Sequence, residues 1–130
     1  MTVAYVDTSV LTAIAFDEPG AESHAQALNE FDRLISSNLL EAELRAVFAR
    51  EKIPFHENLI AGVEWILPNR PLSSEFVRVL EAGYLRGAAL WHAATALYVS
   101  PQPDSLSFAT LDARQSDVAK ALGFPIPWEE

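Results

Sequence analysis

The sequence predicts an α/β protein, a three-layer α/β/α sandwich around a short central parallel sheet. Short apolar segments rich in β-branched and aromatic residues alternate with helical patterns along the 130 residues. The segments that join successive strands are too long for hairpins, so the strands should run parallel and carry helices on both faces. This length predicts a single domain, residues 1–130.

The first half of the chain predicts strands and helices in alternation. They are a buried strand over Thr2–Val6, helices over Thr8–Phe16 and Ala21–Phe31, a short strand over Arg33–Ile35, and helices over Asn38–Lys52 and Pro54–Glu64. The run Asp17–Gly20 separates the first two helices, because Pro and Gly interrupt helical patterns. Ser36 or Ser37 is expected to cap the third helix.

The second half continues the alternation. It predicts a short strand over Trp65–Leu67, helices through Gly83 and over Gly87–Val99, a strand over Leu106–Ala109, a helix over Asp112–Leu122 and a last short strand over Phe124–Ile126. Ser73 or Ser74 should cap the helix that ends at Gly83. The segment Gly87–Val99 is almost wholly apolar, which predicts a helix buried on several sides.

Composition narrows the classes of function. The net charge of −9, from 18 acids and nine Lys and Arg residues, argues against simple electrostatic capture of nucleic acid. It fits an acidic cation site or a partner that supplies basic residues. The absence of cysteine excludes disulfides and thiolate metal sites. No signal peptide, membrane span or glycine-rich nucleotide loop is recognisable, so a cytoplasmic protein is expected.

Two acids follow predicted strands directly. Asp7 ends the first strand and precedes the hydroxyls of Thr8 and Ser9, while Asp112 lies just past Leu106–Ala109. In open α/β sheets, ligands bind outside the carboxyl ends of the strands. Each acid can also simply cap the helix that follows it, and for Asp112 alone capping is the more common role. Two caps that converge at one sheet edge would also make a cation site.

Glu43 supplies a third carboxylate. The apolar face of its predicted helix consists of Leu40, Leu44, Val47 and Phe48. Glu43 borders that face, so its carboxylate can approach the sheet edge. Carboxylates gathered in one cleft repel each other unless a cation or raised pKa values offset the repulsion. Mg²⁺ or Mn²⁺ suits such ligands, can acidify a water and can stabilise charge on phosphate, which favours phosphodiester hydrolysis.

In these motifs the chain resembles the PIN-domain nucleases, specifically the VapC toxins of bacterial toxin–antitoxin pairs. The matching stretches are Val6–Ser9, Leu40–Arg45, Leu85–His92 and Phe108–Asp112. The resemblance implies an endoribonuclease that depends on Mg²⁺ or Mn²⁺ and uses Asp7, Glu43 and Asp112 as metal ligands. It also implies a homodimer, an RNA substrate and a small VapB-like antitoxin whose segment occupies the cleft.

One position departs from the family pattern. The family carries an acid directly before the Leu-Trp-His group, and this chain has Ala89 there. A methyl group cannot ligate a metal, so the chain as it stands is expected to have little or no activity. Two explanations are open: a replacement made so that a toxic nuclease could be expressed, or a naturally degenerate member. The retained acids and hydroxyls favour the first.

Several other side chains admit both functional and structural interpretations. Ser9 and Thr110 can orient carboxylates, or can be ordinary turn and capping hydroxyls. His92, one turn after Ala89, can contact phosphate, but a buried histidine that supports the ligands is the preferred interpretation. Arg86 and Arg114 are either phosphate contacts or solvated surface arginines.

Two alternative functions remain. The first is a naturally inactive PIN-like module that binds an antitoxin or RNA. The second, a phosphoacceptor receiver domain, is disfavoured because no second acid adjoins Asp7 and no lysine follows a late strand.

Overall fold

A computed structural model describes residues 1–129 and confirms the predicted α/β/α fold with its parallel sheet. The strands are β1 (Val3–Val6), β2 (Arg33–Ser37), β3 (Val63–Ile66) and β4 (Ser107–Ala109). Their order is β3-β2-β1-β4, and every neighbouring pair is parallel. The carboxyl ends of β1 and β4 therefore lie side by side, and the Asp7 amide donates to the Ala109 carbonyl at 2.9 Å.

Helices cover both faces of the sheet. They are α1 (Thr8–Ala15), α2 (Ala21–Asn29), α3 (Leu39–Glu51), α4 (Ser73–Ala82), α5 (Gly87–Val99) and α6 (Ala113–Leu122). Successive residues of β1 enter opposite cores: Tyr5 packs with α4, α5 and α6, whereas Val6 packs with α1 and α3. In α5 every residue from His92 to Leu97 is buried, as its apolar sequence predicts. Burying each large apolar side chain of these cores contributes about 1.5–3 kcal/mol.

The predicted helix over Pro54–Glu64 is wrong. The chain forms only a short 3-10 turn at Glu57–Leu59 and then enters β3 at Val63. Gly62 interrupts the helical pattern just before the strand, and the backbone of Val63–Ile66 finds hydrogen-bonding partners along β2. Strand pairing therefore outweighs the weak local helical preference.

The predicted last strand over Phe124–Ile126 is also wrong. Proline has no amide hydrogen to donate, and Pro125 and Pro127 flank Ile126. One backbone hydrogen bond ties this segment to the sheet, from the Phe108 amide to the Pro125 carbonyl at 2.8 Å. Phe124 and Ile126 are nevertheless buried, so packing rather than pairing holds the segment in place.

The predicted serine caps of α3 and α4 are wrong, because other residues precede these helices. Ser36 and Ser37 belong to β2, and Asn38 precedes α3. The hydroxyl of Ser37 still accepts the Leu39 amide at 3.0 Å, so it satisfies one free N–H of the first turn. Neither Ser73 nor Ser74 caps α4, which begins at Ser73 itself. The buried Leu72 precedes that helix and anchors its entry by packing.

Candidate active site

Asp7 lies at the carboxyl end of β1 and is only 6% exposed. Although it precedes α1, its side chain makes no capping hydrogen bond, so the simple capping interpretation is wrong for this residue. Its Oδ2 atom instead accepts hydrogen bonds from the Ser9 hydroxyl at 2.7 Å and from the Thr110 hydroxyl at 2.9 Å. Two hydroxyls, one following β1 and one following β4, thus fix the orientation of this carboxylate.

Asp112 caps α6, the role that the sequence favoured when this residue was considered by itself. It is exposed, and its Oδ1 atom accepts the Gln115 amide at 2.8 Å, which caps α6. Its own amide donates to the Thr110 hydroxyl at 3.1 Å. Thr110 therefore links the backbone of Asp112 to the carboxylate of Asp7. The second oxygen of Asp112 makes no hydrogen bond with residues 1–129.

Glu43 extends from α3 toward the same sheet edge. Its Oε1 atom accepts the Thr8 hydroxyl at 2.6 Å and lies 3.0 Å from His92 Nε2. Burial raises the pKa of the Glu43 carboxyl, but the hydrogen bonds from His92 and Thr8 outweigh burial and lower the pKa below its ordinary value. Glu43 is therefore held ionised, with its orientation fixed by two donors.

His92 is fully buried and lies between the two acids. Its Nε2 atom is 3.0 Å from Glu43 Oε1 and 3.8 Å from Asp7 Oδ1. On the other side of the ring, Nδ1 is 2.7 Å from the Tyr5 hydroxyl, which also accepts the Ser37 amide at 3.1 Å. Because Nε2 faces two carboxylates, which can only accept, the hydrogen of the neutral ring is assigned to Nε2, and Nδ1 then accepts the Tyr5 hydroxyl.

Tyr5, Thr8 and Gln115 contribute to this site without having been predicted. A buried tyrosine hydroxyl needs a hydrogen-bond partner, which was the available signal for Tyr5. Gln115 is 1% exposed, and its Nε2 donates to the Ala89 carbonyl at 3.1 Å while its Oε1 lies 3.3 Å from the Thr110 hydroxyl. The spacing of Gln115 from Asp112 matches a capping box, a second signal that sequence reasoning overlooked.

The PIN-domain family model matches residues 4–121. The chain belongs to the PIN-domain family. Neither the comparison with curated proteins nor the comparison with solved structures finds a match. PIN domains are typically metal-dependent nucleases, so membership supports nuclease activity in general. The match confirms the predicted family and spans every residue that the sequence singled out for the site.

The donors in this PIN domain suit a divalent cation in kind but not in number. Carboxylate oxygens are ligands that Mg²⁺ and Mn²⁺ prefer. Within residues 1–129, however, no group of three or more His, Asp and Glu side chains is arranged to hold a metal ion. The structure brings Asp7 to 3.8 Å and Glu43 to 3.0 Å from the same atom, His92 Nε2, while one oxygen of Asp112 accepts the Gln115 amide of its own helix. Ala89 offers only a methyl group, one helical turn before His92.

The described part of this PIN domain contains no helix long and apolar enough to cross a bilayer.

Proposed function

We propose that this PIN domain is a VapC-like endoribonuclease that depends on Mg²⁺ or Mn²⁺ and needs an acid at position 89. The carrying observation is Asp7, a buried carboxylate at a strand end whose hydrogen bonds orient it toward the site rather than toward its helix. Within residues 1–129 its only basic neighbour is His92, at 3.8 Å. A buried carboxylate without a lysine or arginine partner is costly, and a bound cation would offset that cost.

Some residues of the site would supply metal ligands, and others orient those ligands by hydrogen bonds. Ser9 and Thr110 hold Asp7, and His92 with Thr8 holds Glu43, so both carboxylates are oriented before any cation binds. Asp112 uses one oxygen for its capping bond and keeps the other for a ligand. An Asp at position 89, on the helix that carries His92, would add the missing carboxylate.

The chemistry follows from this arrangement. When bound, a divalent cation supplies the positive charge that stabilises a phosphodiester under attack and acidifies water near neutral pH. The carboxylates of Asp7, Glu43 and Asp112 would bind and orient it, while the hydroxyls of Ser9 and Thr110 keep Asp7 from turning away. RNA is the substrate that the VapC resemblance implies.

The same proposal includes a VapB-like antitoxin and a homodimer. The net charge of −9 supports a partner that supplies basic residues. An arginine from such a partner, placed near Asp7 and Glu43, would make charge-assisted hydrogen bonds to carboxylates that pair with no arginine within residues 1–129. The homodimer predicts a sedimentation mass of twice that of the chain, and a monomer would contradict it.

The experiment restores the acid. The Ala89→Asp protein should cleave members of an RNA panel in the presence of Mn²⁺, cleavage should stop with EDTA, and expression should slow cell growth. The Ala89→Asn protein is the matched control, because it has nearly the same size and no charge, and it should remain as inactive as the parent. If folded Ala89→Asp protein neither cleaves RNA nor slows growth, the nuclease proposal is wrong.

A second candidate function is a naturally inactive PIN-like module that binds an antitoxin or RNA. The observation that favours it is His92, whose Nε2 already lies 3.0 Å from Glu43 Oε1 and 3.8 Å from Asp7 Oδ1, where a cation would otherwise bind these acids. This candidate predicts that the parent binds its partner equally well with EDTA or Mn²⁺, and that Ala89→Asp creates no cleavage. Restored cleavage would exclude it.

A further inference from the structure

Most of the basic side chains already form ion pairs with carboxylates of the same chain. Five of the nine Lys and Arg residues form ion pairs with carboxylates: Arg33, Arg45, Arg50, Arg70 and Lys120. Across residues 1–129 the remaining basic side chains, Lys52, Arg78, Arg86 and Arg114, make no such pair. On a chain of net charge −9, positive charge that is free to meet a polyanion is therefore confined to a few places.

One of these arginines shares a surface pocket with an exposed aromatic ring. Arg114, in the first turn of α6, lines a pocket of about 290 Å³ together with Tyr84, which is 62% exposed. The remaining walls are Ala82, Gly83, Asp117 and Val118. Asp117 is the one acid of the pocket, and Lys120 lies 3.8 Å from it, which reduces its repulsion of a second anion. We name this pocket the Tyr84–Arg114 platform.

The residues of the platform are close in sequence to residues of the candidate active site. Arg114 is two residues beyond Asp112, and its neighbour Gln115 donates to the Ala89 carbonyl. Tyr84 is two residues before Arg86, and Arg86 immediately precedes α5, the helix that carries positions 89 and 92. Because Arg86 and Arg114 are each within three residues of position 89 or 112, a nucleic-acid strand with one phosphate at the acids would extend toward the platform.

We propose that the Tyr84–Arg114 platform binds a nucleotide of single-stranded RNA next to the bond to be cut. The Tyr84 ring would stack on a base, and Arg114, with Arg86, would contact the flanking phosphates. Single-stranded RNA is recognised by such aromatic faces and arginines, and stacking tolerates any base. This proposal rests on the proposed function, because it assigns the platform to the substrate of that site.

Charge favours RNA over a second copy of the chain as the occupant. A two-fold contact centred on the platform would place Arg114 of each copy near the same arginine of the other. Within the pocket only Asp117 could compensate, and it already faces Lys120. A phosphate backbone carries the opposite charge and would therefore attract both Arg86 and Arg114.

The test measures binding without cleavage, so that it does not depend on activity. A short fluorescein-labelled single-stranded RNA is titrated with the parent, Tyr84→Ala, Tyr84→Phe and Arg114→Gln proteins in EDTA, followed by anisotropy. Tyr84→Ala should weaken binding at least about fivefold, and Tyr84→Phe, which keeps the ring, should not. Arg114→Gln should weaken binding and reduce the salt dependence by about 0.7 in log–log slope. Arg78→Gln is the control, because it removes the same charge and, among residues 1–129, Arg78 hydrogen-bonds only to the Pro101 carbonyl.

Each outcome bears on the proposal. No RNA binding by the parent, or equal binding by Tyr84→Ala, Arg114→Gln and Arg78→Gln, would overturn it. A change of sedimentation mass in Tyr84→Ala with unchanged RNA affinity would assign the platform to a second copy and also overturn it. If Ala89→Asp fails to cleave RNA while the platform variants lose binding, the nuclease proposal fails and the platform stands as an RNA site.

Discussion

The hydroxyl of Tyr5 lies 2.7 Å from Nδ1 of His92, and neither side chain is exposed to solvent. The contact joins residues that are 87 positions apart in the sequence. It holds the ring so that the other nitrogen, Nε2, faces Asp7 and Glu43. Burial raises the pKa of the Tyr5 phenol above its ordinary value, so the hydroxyl stays protonated across the physiological range. Tyr5 is therefore a positioning residue for His92, and through His92 for Glu43.

Replacing Tyr5 by Phe removes this hydroxyl and leaves both His92 Nδ1 and the buried Ser37 amide without a partner. Each orphaned buried polar group costs about 1–3 kcal/mol, so leaving two of them should lower the free energy of unfolding by at least about 2 kcal/mol. Urea denaturation measures it. Tyr98→Phe is the matched control: its hydroxyl contacts the exposed Asn69 and should cost less than about 1 kcal/mol. Equal losses in the two variants would contradict the role of Tyr5.

Replacing Asp112 by Ala removes the side-chain cap of α6. The Gln115 amide then loses its acceptor, and the loss of stability should be about 1 kcal/mol. Asp117→Ala, on the same helix, removes a carboxylate that is 79% exposed and makes only a 3.8 Å contact with Lys120. It should change the free energy of unfolding by less than about 0.5 kcal/mol. A thermal melt of each variant decides between capping and a purely functional role for Asp112.

Replacing Gln115 by Leu removes the donor to the Ala89 carbonyl and leaves it without that bond. Gln115 is buried, but the Ala89 carbonyl is half-buried within α5, so losing the hydrogen bonds of Gln115 should cost about 0.5–1.5 kcal/mol. The exposed Gln26→Leu variant of α2 serves as the control and should be close to neutral. If Gln115→Leu is as stable as Gln26→Leu, the hydrogen bonds of Gln115 contribute nothing.

The Glu75 carboxyl should make the free energy of unfolding depend on pH in the acidic range. Hydrogen bonds from Arg70 lower its pKa from 4.5 to about 2. Because the folded-state pKa is depressed, the stabilisation is fully present above pH 4.5 and is lost as the pH falls toward 2. Solvent screening around the half-exposed Arg70 limits it to about 1 kcal/mol. The stability difference between the parent and Glu75→Gln should shrink over that window; a constant difference would contradict the pairing.

The sequence was a good guide to the elements with strong periodicity and a poor one to weakly patterned segments. The buried helix that contains His92 and the strand that ends before Asp7 followed from their apolar patterns. Residues 54–64 have no strong apolar pattern, and the strand that begins at Val63 depends on long-range pairing with β2. The acids were located by their positions after strands or beside an apolar stripe. The contacts of Tyr5 and Thr8 depend on side chains brought together from distant parts of the chain, which periodicity does not report.

The central claim of the proposal is that Asp7, Glu43 and Asp112 would hold a divalent cation once an acid stands at position 89. Calorimetric titration with Mn²⁺ tests it most directly, using the parent, Ala89→Asp, Ala89→Asn, and Ala89→Asp combined with Asp7→Asn. We expect Ala89→Asp to bind Mn²⁺ at least about tenfold more tightly than the parent and the Asn control, and to lose that gain when Asp7 is neutralised. Equal Mn²⁺ affinity in the parent and Ala89→Asp proteins would contradict the account.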